Sequence, residues 1–139
     1  MVHQIIYTSA AKPELTPKDF RNIAIKASLQ NKANGITGIL LFIDGGILQV
    51  LEGEKAIIQA LYEKINCDTR HTNMTKLIDR DAPQREFPAW SMGFRMVEDS
   101  DQLDFAFDLT RQNFNKNMPD DLSPEVSILT NTYARVQRL

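Results

Sequence analysis

The sequence predicts an α+β fold, a mixed sheet built in the order β-α-β-β-α-β-β. Three observations carry this expectation. Apolar and polar residues alternate near the N-terminus, apolar residues recur twice at helical spacing, and Asp44-Gly45-Gly46 separates two apolar runs as a hairpin turn.

Residues 3–9 read as the first strand, with His3, Ile5 and Tyr7 on one face and Gln4, Ile6 and Thr8 on the other. Thr16-Pro17 opens a helix, because threonine accepts a backbone N–H at the cap and proline is tolerated at the first helical position. Phe20, Ile23, Ala24 and Ala27 form its buried stripe, Asn31 continues that stripe, and Asn34-Gly35 supplies the stop. Residues 36–43 form a nearly continuous apolar strand, as suits the middle of a sheet covered on both faces. Residues 47–52 return as its partner, where Gln49 points with Ile47 and Leu51 while Leu48 and Val50 point the other way.

A second helix is expected over 54–65, facing inward with Ile57, Ile58, Leu61 and Ile65. Strands are expected over 74–80 and 89–96; in the latter, Trp90, Met92, Phe94 and Met96 alternate with Ala89, Ser91, Gly93 and Arg95. The first six elements match the ferredoxin-like arrangement, with two helices on one face of the sheet. A helix near 100–114, carrying Leu103, Phe107 and Phe114, and another opening at Ser123-Pro124, carrying Val126, Leu129, Tyr133 and Val136, are expected to cover the other face. The boundary between the two parts falls near 97, giving residues 1–97 and a helical extension over 98–139.

Composition narrows the class. A chain of 139 residues with net charge −2 and scattered Lys and Arg suits one soluble domain and argues against nucleic acid or an anionic membrane as partner. One cysteine, Cys67, excludes an intrachain disulfide and fits a reducing compartment. The longest apolar run, Ile39-Leu40-Leu41-Phe42-Ile43, is too short to span a bilayer, and the N-terminus lacks the pattern of a signal peptide, so a cytoplasmic protein is expected. Cys67 with His3 and His71 is a weak ligand set, and no metal is expected. Asp19, Glu52, Glu63 and Asp68 show no pairing that suggests acid–base hydrolysis, and Gly35-Ile36-Thr37-Gly38 is neither a P-loop nor a dinucleotide fingerprint.

The informative residues are polar ones in apolar stretches. Gln49 sits among aliphatic side chains, where an amide without a partner costs roughly 1–3 kcal/mol. Tyr7 ends the first strand pattern and Asn31 lies on the apolar helix face. Each has a plainer reading: a core tyrosine with a satisfied hydroxyl, an amide met by an edge or water, a helix-end asparagine. Converging on one interior, the three describe a site for a flat, hydrogen-bonding ligand.

Five stretches then carry a resemblance. They are Ile5-Ile6-Tyr7-Thr8-Ser9, Asn31 through Leu40, Leu48-Gln49-Val50-Leu51-Glu52-Gly53, Asp68-Thr69-Arg70-His71 and Trp90-Ser91-Met92. In this order and at this spacing the chain resembles the BLUF family of blue-light sensors that use flavin. The resemblance covers residues 3–96, about two thirds of the chain; the remainder matches only the general form of short family members with a small helical extension.

The resemblance implies FAD as cofactor, with FMN as the alternative, lying between the helices that start near Thr16 and Glu54. It implies that Tyr7 donates an electron and proton to the excited flavin and that Gln49 links this tyrosine to the flavin N5/O4 edge. Asn31 is implied to bond the polar end of the ring, and Ser9, Trp90 and Met92 to form the shell around the glutamine. Asp68, Arg70 and His71 match positions on the pyrimidine and ribityl side, and Lys64 stands where relatives often carry a basic residue. Ile23 and Ala27 with Ile57, Leu61 and Ile65 are expected to supply apolar walls.

The implied function is a non-enzymatic photoreceptor that signals through association, as a homo-oligomer or with a light-dependent regulator protein, using 98–139 for output. Two alternatives stand beside it: a flavin-dependent or acylphosphatase-like enzyme on the same scaffold, and a light-insensitive interaction module.

Overall fold

The computed structural model describes residues 1–43, 45–88, 93–96, 107–108, 123, 124 and 126. Their elements are β1 (Val2–Ala11), α1 (Pro17–Ala33), β2 (Thr37–Ile43), β3 (Gly46–Gly53), α2 (Lys55–Asn66), β4 (His71–Ala82), β5 (Gly93–Met96) and β6 (Phe107–Asp108). The sheet runs β4-β1-β3-β2-β5-β6. The first four strands pair antiparallel, whereas β5 runs parallel to β2 and β6 parallel to β5. This is the expected ferredoxin-like order, extended at one edge by β5 and β6.

Local chemistry explains the boundaries. Thr16 and Asp19 form a capping box: Thr16 Oγ1 accepts from the Asp19 N–H at 3.1 Å, and the Asp19 carboxylate accepts from the Thr16 N–H at 3.1 Å. Both bonds tie down N–H groups that the first helical turn leaves open. At the hairpin, Gly45 has φ 83°, a conformation that glycine adopts without steric cost.

The inner face of the sheet carries Ile5, Tyr7, Leu40, Phe42, Ile47 and Leu51, packed with Phe20 and Ala24 of α1 and Ile58 and Tyr62 of α2. Tyr62 was not part of the expected stripe on α2; it is buried with Ile58, while Ile57, Leu61 and Ile65 are only partly buried. On the outer face, Ile6, Ile39, Leu41, Leu48 and Val50 are at most 1% exposed, so that face is covered too. Continuous apolar strands follow from this double burial.

The outer face also buries polar groups, Gln4, Glu52 and Glu86. The Glu52 carboxylate accepts the backbone N–H of Glu86 at 2.7 Å and of Phe87 at 2.8 Å, and the Gln4 amide at 3.0 Å. The Glu86 carboxylate accepts from the Ser123 hydroxyl at 2.8 Å and from the Ser123 backbone N–H. Strand β3 thereby holds the segment after β4, which in turn holds Ser123.

Two expectations need revision. β4 is longer than 74–80, because it pairs with β1 from Ala11↔His71 to Val2↔Ala82. The expected helix over 100–114 does not hold at Phe107 and Asp108, which are strand. There the free edge of β5 supplies backbone partners, and phenylalanine suits a strand. The other residues of that expectation lie outside the described set, as do 89–92 and the body of the second tail helix. Within the latter, Pro124 and Val126 are helical and Val126 is buried.

Candidate functional site

A cavity of about 680 Å³ opens between α1, α2 and the inner face of the sheet. Helical spacing builds one wall: Asp19, Phe20, Asn22, Ile23, Lys26, Ala27, Gln30 and Asn31 form a single stripe along α1. α2 supplies Leu61, Lys64 and Ile65 to the opposite wall. Tyr7 of β1, Leu40 of β2, and Ile47 and Gln49 of β3 form the floor. Asp68, Thr69, Arg70 and His71, from the turn into β4, close one end.

All eight residues expected to bind a cofactor line this space: Tyr7, Ile23, Asn31, Gln49, Lys64, Asp68, Arg70 and His71. Of the expected switch shell, Ser9 is placed two residues beyond Tyr7, with its hydroxyl 2.8 Å from Nδ1 of His71. Trp90 and Met92 lie outside the described residues. Lys12 and Lys26, which no motif singled out, add cationic groups to the lining.

Tyr7 and Gln49 form the centre of the floor. They are register partners across β1 and β3, and the Tyr7 hydroxyl donates to Gln49 Oε1. Both are at least 95% buried. Burial is the main reason that the Tyr7 phenol titrates well above its ordinary value, with further contributions from Tyr62 and Asp68. The phenol therefore stays protonated and remains the donor.

The remaining polar groups are held in defined roles. The Asn31 backbone carbonyl accepts from Asn34 and Ile36, closing the helix end. Its buried side-chain amide has no hydrogen-bond partner among the described residues, while it borders the cavity. His71 Nε2 is 2.7 Å from the Ile65 carbonyl, which only accepts, so Nε2 carries the proton; in the neutral ring Nδ1 then accepts from Ser9. Arg70 donates to both Asp68 carboxylate oxygens, and these bonds push the Asp68 carboxyl down to about 2.

The residues fit a flavin. Phe20, Ile23, Ala27, Leu61 and Ile65 give the walls apolar surface between their polar residues, the floor carries a tyrosine–glutamine pair, and Asn31 offers both a donor and an acceptor to a ring edge. A ferredoxin-like sheet with two helices around such a cavity makes a small-molecule-binding domain whose lining suits a flat, hydrogen-bonding ring. The model of the family "BLUF: Sensors of blue-light using FAD" matches residues 2–93, and the chain belongs to that family. It is a flavin-binding blue-light sensor domain.

Relatives agree with this assignment. The chain is 30% identical over 123 residues to the blue light- and temperature-regulated antirepressor BluF of Escherichia coli, covering 86% of this chain and 30% of BluF. It is 34% identical over 89 residues to the photoactivated adenylate cyclase subunit beta of Euglena longa, covering 63% of this chain and 10% of that protein. The chain thus spans less than a third of the length of these curated relatives. Among solved structures, BlsA in its photo-activated state superposes with a TM-score of 0.69 at 26% identity, covering 95% of this chain and 94% of BlsA. Klebsiella pneumoniae BlrP1 with FMN and cyclic diGMP gives 0.75 at 26% identity, covering 94% of this chain and 34% of BlrP1.

Proposed function

We propose that this chain is a light-driven switch in which Tyr7 and Gln49 are the photochemical pair and residues 98–139 carry the output. The observation that supports it best is the Tyr7 hydroxyl donating to Gln49 on the floor of the cavity. Bound flavin supplies a chromophore that blue light turns into a one-electron oxidant. Tyr7 gives up an electron, and its hydroxyl proton has a defined path along the bond to Gln49. The Gln49 amide both donates and accepts, so it has two ways of being satisfied and retains the second after Tyr7 recovers. One rearranged hydrogen bond is worth only about 0.5–1.5 kcal/mol, so the protein must be nearly balanced between two states.

Asn31 would hold the polar edge of the ring, since its amide both donates and accepts. Asp68, Arg70, His71 and Lys64 serve the pyrimidine and ribityl side, with Ile23 on the apolar wall. Ser9, Trp90 and Met92 form the shell that reads the glutamine. FAD is the cofactor that the family description names, and Lys12, Lys26 and Lys64 in the lining suit the anionic phosphate of a flavin nucleotide. The protein works in the cytoplasm without an enzymatic activity of its own, through self-association or a regulator protein.

The test is an absorption spectrum of purified protein in darkness and after blue light. A reversible red shift of a flavin spectrum is expected. A colourless preparation that cannot be reconstituted with FAD or FMN overturns the reading.

A further inference from the structure

The sheet that floors the cavity continues beyond Tyr7, on the side away from Gln49, into β4. Lys76 of β4 is the register partner of Tyr7 across β1 and β4, so Gln49, Tyr7 and Lys76 lie in one row across three strands. Above that row stands Tyr62 of α2, its ring edge-on to the Tyr7 ring at a centroid distance of 5.8 Å and an interplanar angle of 76°. The Lys76 ammonium sits over the Tyr62 ring, 4.8 Å from its centroid. It is held there by Asp79 at 2.9 Å, and Asp79 is in turn 2.5 Å from Nε2 of His3.

We propose that Tyr62 is a second redox-active aromatic of this site, and that Lys76 keeps the oxidising equivalent on Tyr7 by making Tyr62 hard to oxidise. This rests on Tyr7 being the electron donor. Two tyrosines in edge contact have similar intrinsic potentials, so their surroundings decide which of them stays oxidised. The Tyr7 hydroxyl has a proton acceptor in Gln49. The Tyr62 hydroxyl makes no hydrogen bond to another described residue, and losing its proton requires water. A cation over an aromatic face is attracted to the neutral ring and repelled once the ring has lost an electron. Asp79 fixes the ammonium and keeps it charged.

Without Lys76 a leak opens. One electron passes from Tyr62 to oxidised Tyr7, Tyr7 regains its proton through the Gln49 bond, and the Tyr62 phenolic proton goes to solvent. The oxidising equivalent, supplied by the photoexcited flavin, is then stranded on Tyr62. Recombination at Tyr7 fails, and fewer absorbed photons end in the switched state.

The flavin-loaded full chain tests this in four variants: Lys76→Met, Lys76→Arg, Lys76→Met/Tyr62→Phe and Lys76→Met/Tyr7→Phe. Each is illuminated, frozen and read for trapped tyrosyl radical by electron paramagnetic resonance, with flavin content measured alongside. The Lys76 side chain is 38% exposed, so its replacement leaves the core closed. Lys76→Met is expected to trap several-fold more radical per flavin than the unaltered protein, and Lys76→Arg to stay at the unaltered level. Both double variants are expected to lose the excess. An unchanged radical yield in Lys76→Met overturns the proposal, as does an excess that survives Tyr62→Phe. An excess that survives Tyr7→Phe overturns the route through Tyr7. The donor role of Tyr7 is tested separately by the light-induced red shift in Tyr7→Phe alone, which does not depend on Tyr62.

Discussion

Tyr7 and Gln49 face each other in register across β1 and β3, and the hydroxyl of the first donates to the amide oxygen of the second. One bond therefore serves two ends. It gives the buried Tyr7 hydroxyl its acceptor, and it links the floor of the cavity to the strand pair that carries it. The Tyr7→Phe variant separates these roles. The ring stays, so the core packing and the cavity stay, and flavin retention is expected to be unchanged. Loss of one buried hydrogen bond is expected to lower stability by about 1 kcal/mol, measured by urea unfolding. The red shift after blue light is expected to vanish, and a normal shift in this variant contradicts the donor assignment.

Gln49→Leu approaches the same bond from the other side. Leucine is similar in volume and lies between Ile47 and Leu51, so packing tolerates it. The orphaned Tyr7 hydroxyl carries the cost, roughly 1–3 kcal/mol of stability. Difference spectra are expected to retain the flavin and lose the shift; a shift of normal size would assign the carbonyl bond to another residue.

Asn31→Ala tests the ligand edge. The backbone role of Asn31 at the helix end survives the change, since Asn34 and Ile36 bond its carbonyl and not its amide. Helix α1 is therefore expected to hold, and flavin occupancy after dialysis to fall. Each 1.4 kcal/mol lost at this contact weakens binding about tenfold. Unchanged occupancy would remove Asn31 from the binding set.

The floor and one wall were legible in the sequence because strand alternation and helical spacing fix which side chains share a face. Tyr7, Gln49, Ile23, Ala27 and Asn31 all follow from that geometry, and the residues from Asp68 to His71 came through the motif they match. Tyr62 escapes a sequence reading because helical spacing runs the inward stripe of α2 through Ile57, Ile58, Leu61 and Ile65, and a tyrosine in a helix reads equally well as a boundary residue. The Glu52–Glu86–Ser123 cluster was illegible for a different reason. Its partners are 34 and 37 residues apart, and only the closed sheet brings a strand end, a loop and the tail together. Phe107 and Asp108 follow the same rule, since the unfilled edge of β5 made them strand.

Glu52 gives a pH dependence. Burial raises its carboxyl above the ordinary value of 4.5, outweighing the lowering by the Glu86, Phe87 and Gln4 bonds. The folded state then holds the proton more tightly than the unfolded chain. The stability contributed by this group is full below the ordinary value and is lost as pH rises through the raised one. Relative to Glu52→Gln, the unaltered protein is expected to lose urea resistance as pH climbs from 4.5 toward neutrality. The variant itself is expected to be weaker at every pH, by roughly 1–3 kcal/mol, because an amide donor there faces backbone N–H donors. A parallel pH profile for the two proteins would show that Glu52 does not titrate with a raised value.

Gly38 marks where the sheet admits no side chain. It lies opposite Leu51 in the β2–β3 pair, and a Cβ at this position would stand 1.8 Å from the carbonyl oxygen of Val50. That neighbour is backbone in a central strand, held on its other side by pairing with Ile6 of β1. It cannot withdraw as a flexible side chain would. Its φ of 154° adds strain for any L side chain. Gly38→Ala is expected to cost about 3 kcal/mol or more, the range reached when overpacking and backbone strain combine. Gly35→Ala is the control: Gly35 has φ 69° but no heavy atom within 4 Å of a Cβ, so only the conformational term applies, about 1–2 kcal/mol. Because Gly38 sits two residues from Leu40 on the cavity floor, the Gly38 variant is also expected to release flavin at lower urea than the Gly35 variant. Equal unfolding midpoints for the two would mean that β2 shifts away from β3 without cost, and that the close approach of these strands is not a constraint on the fold.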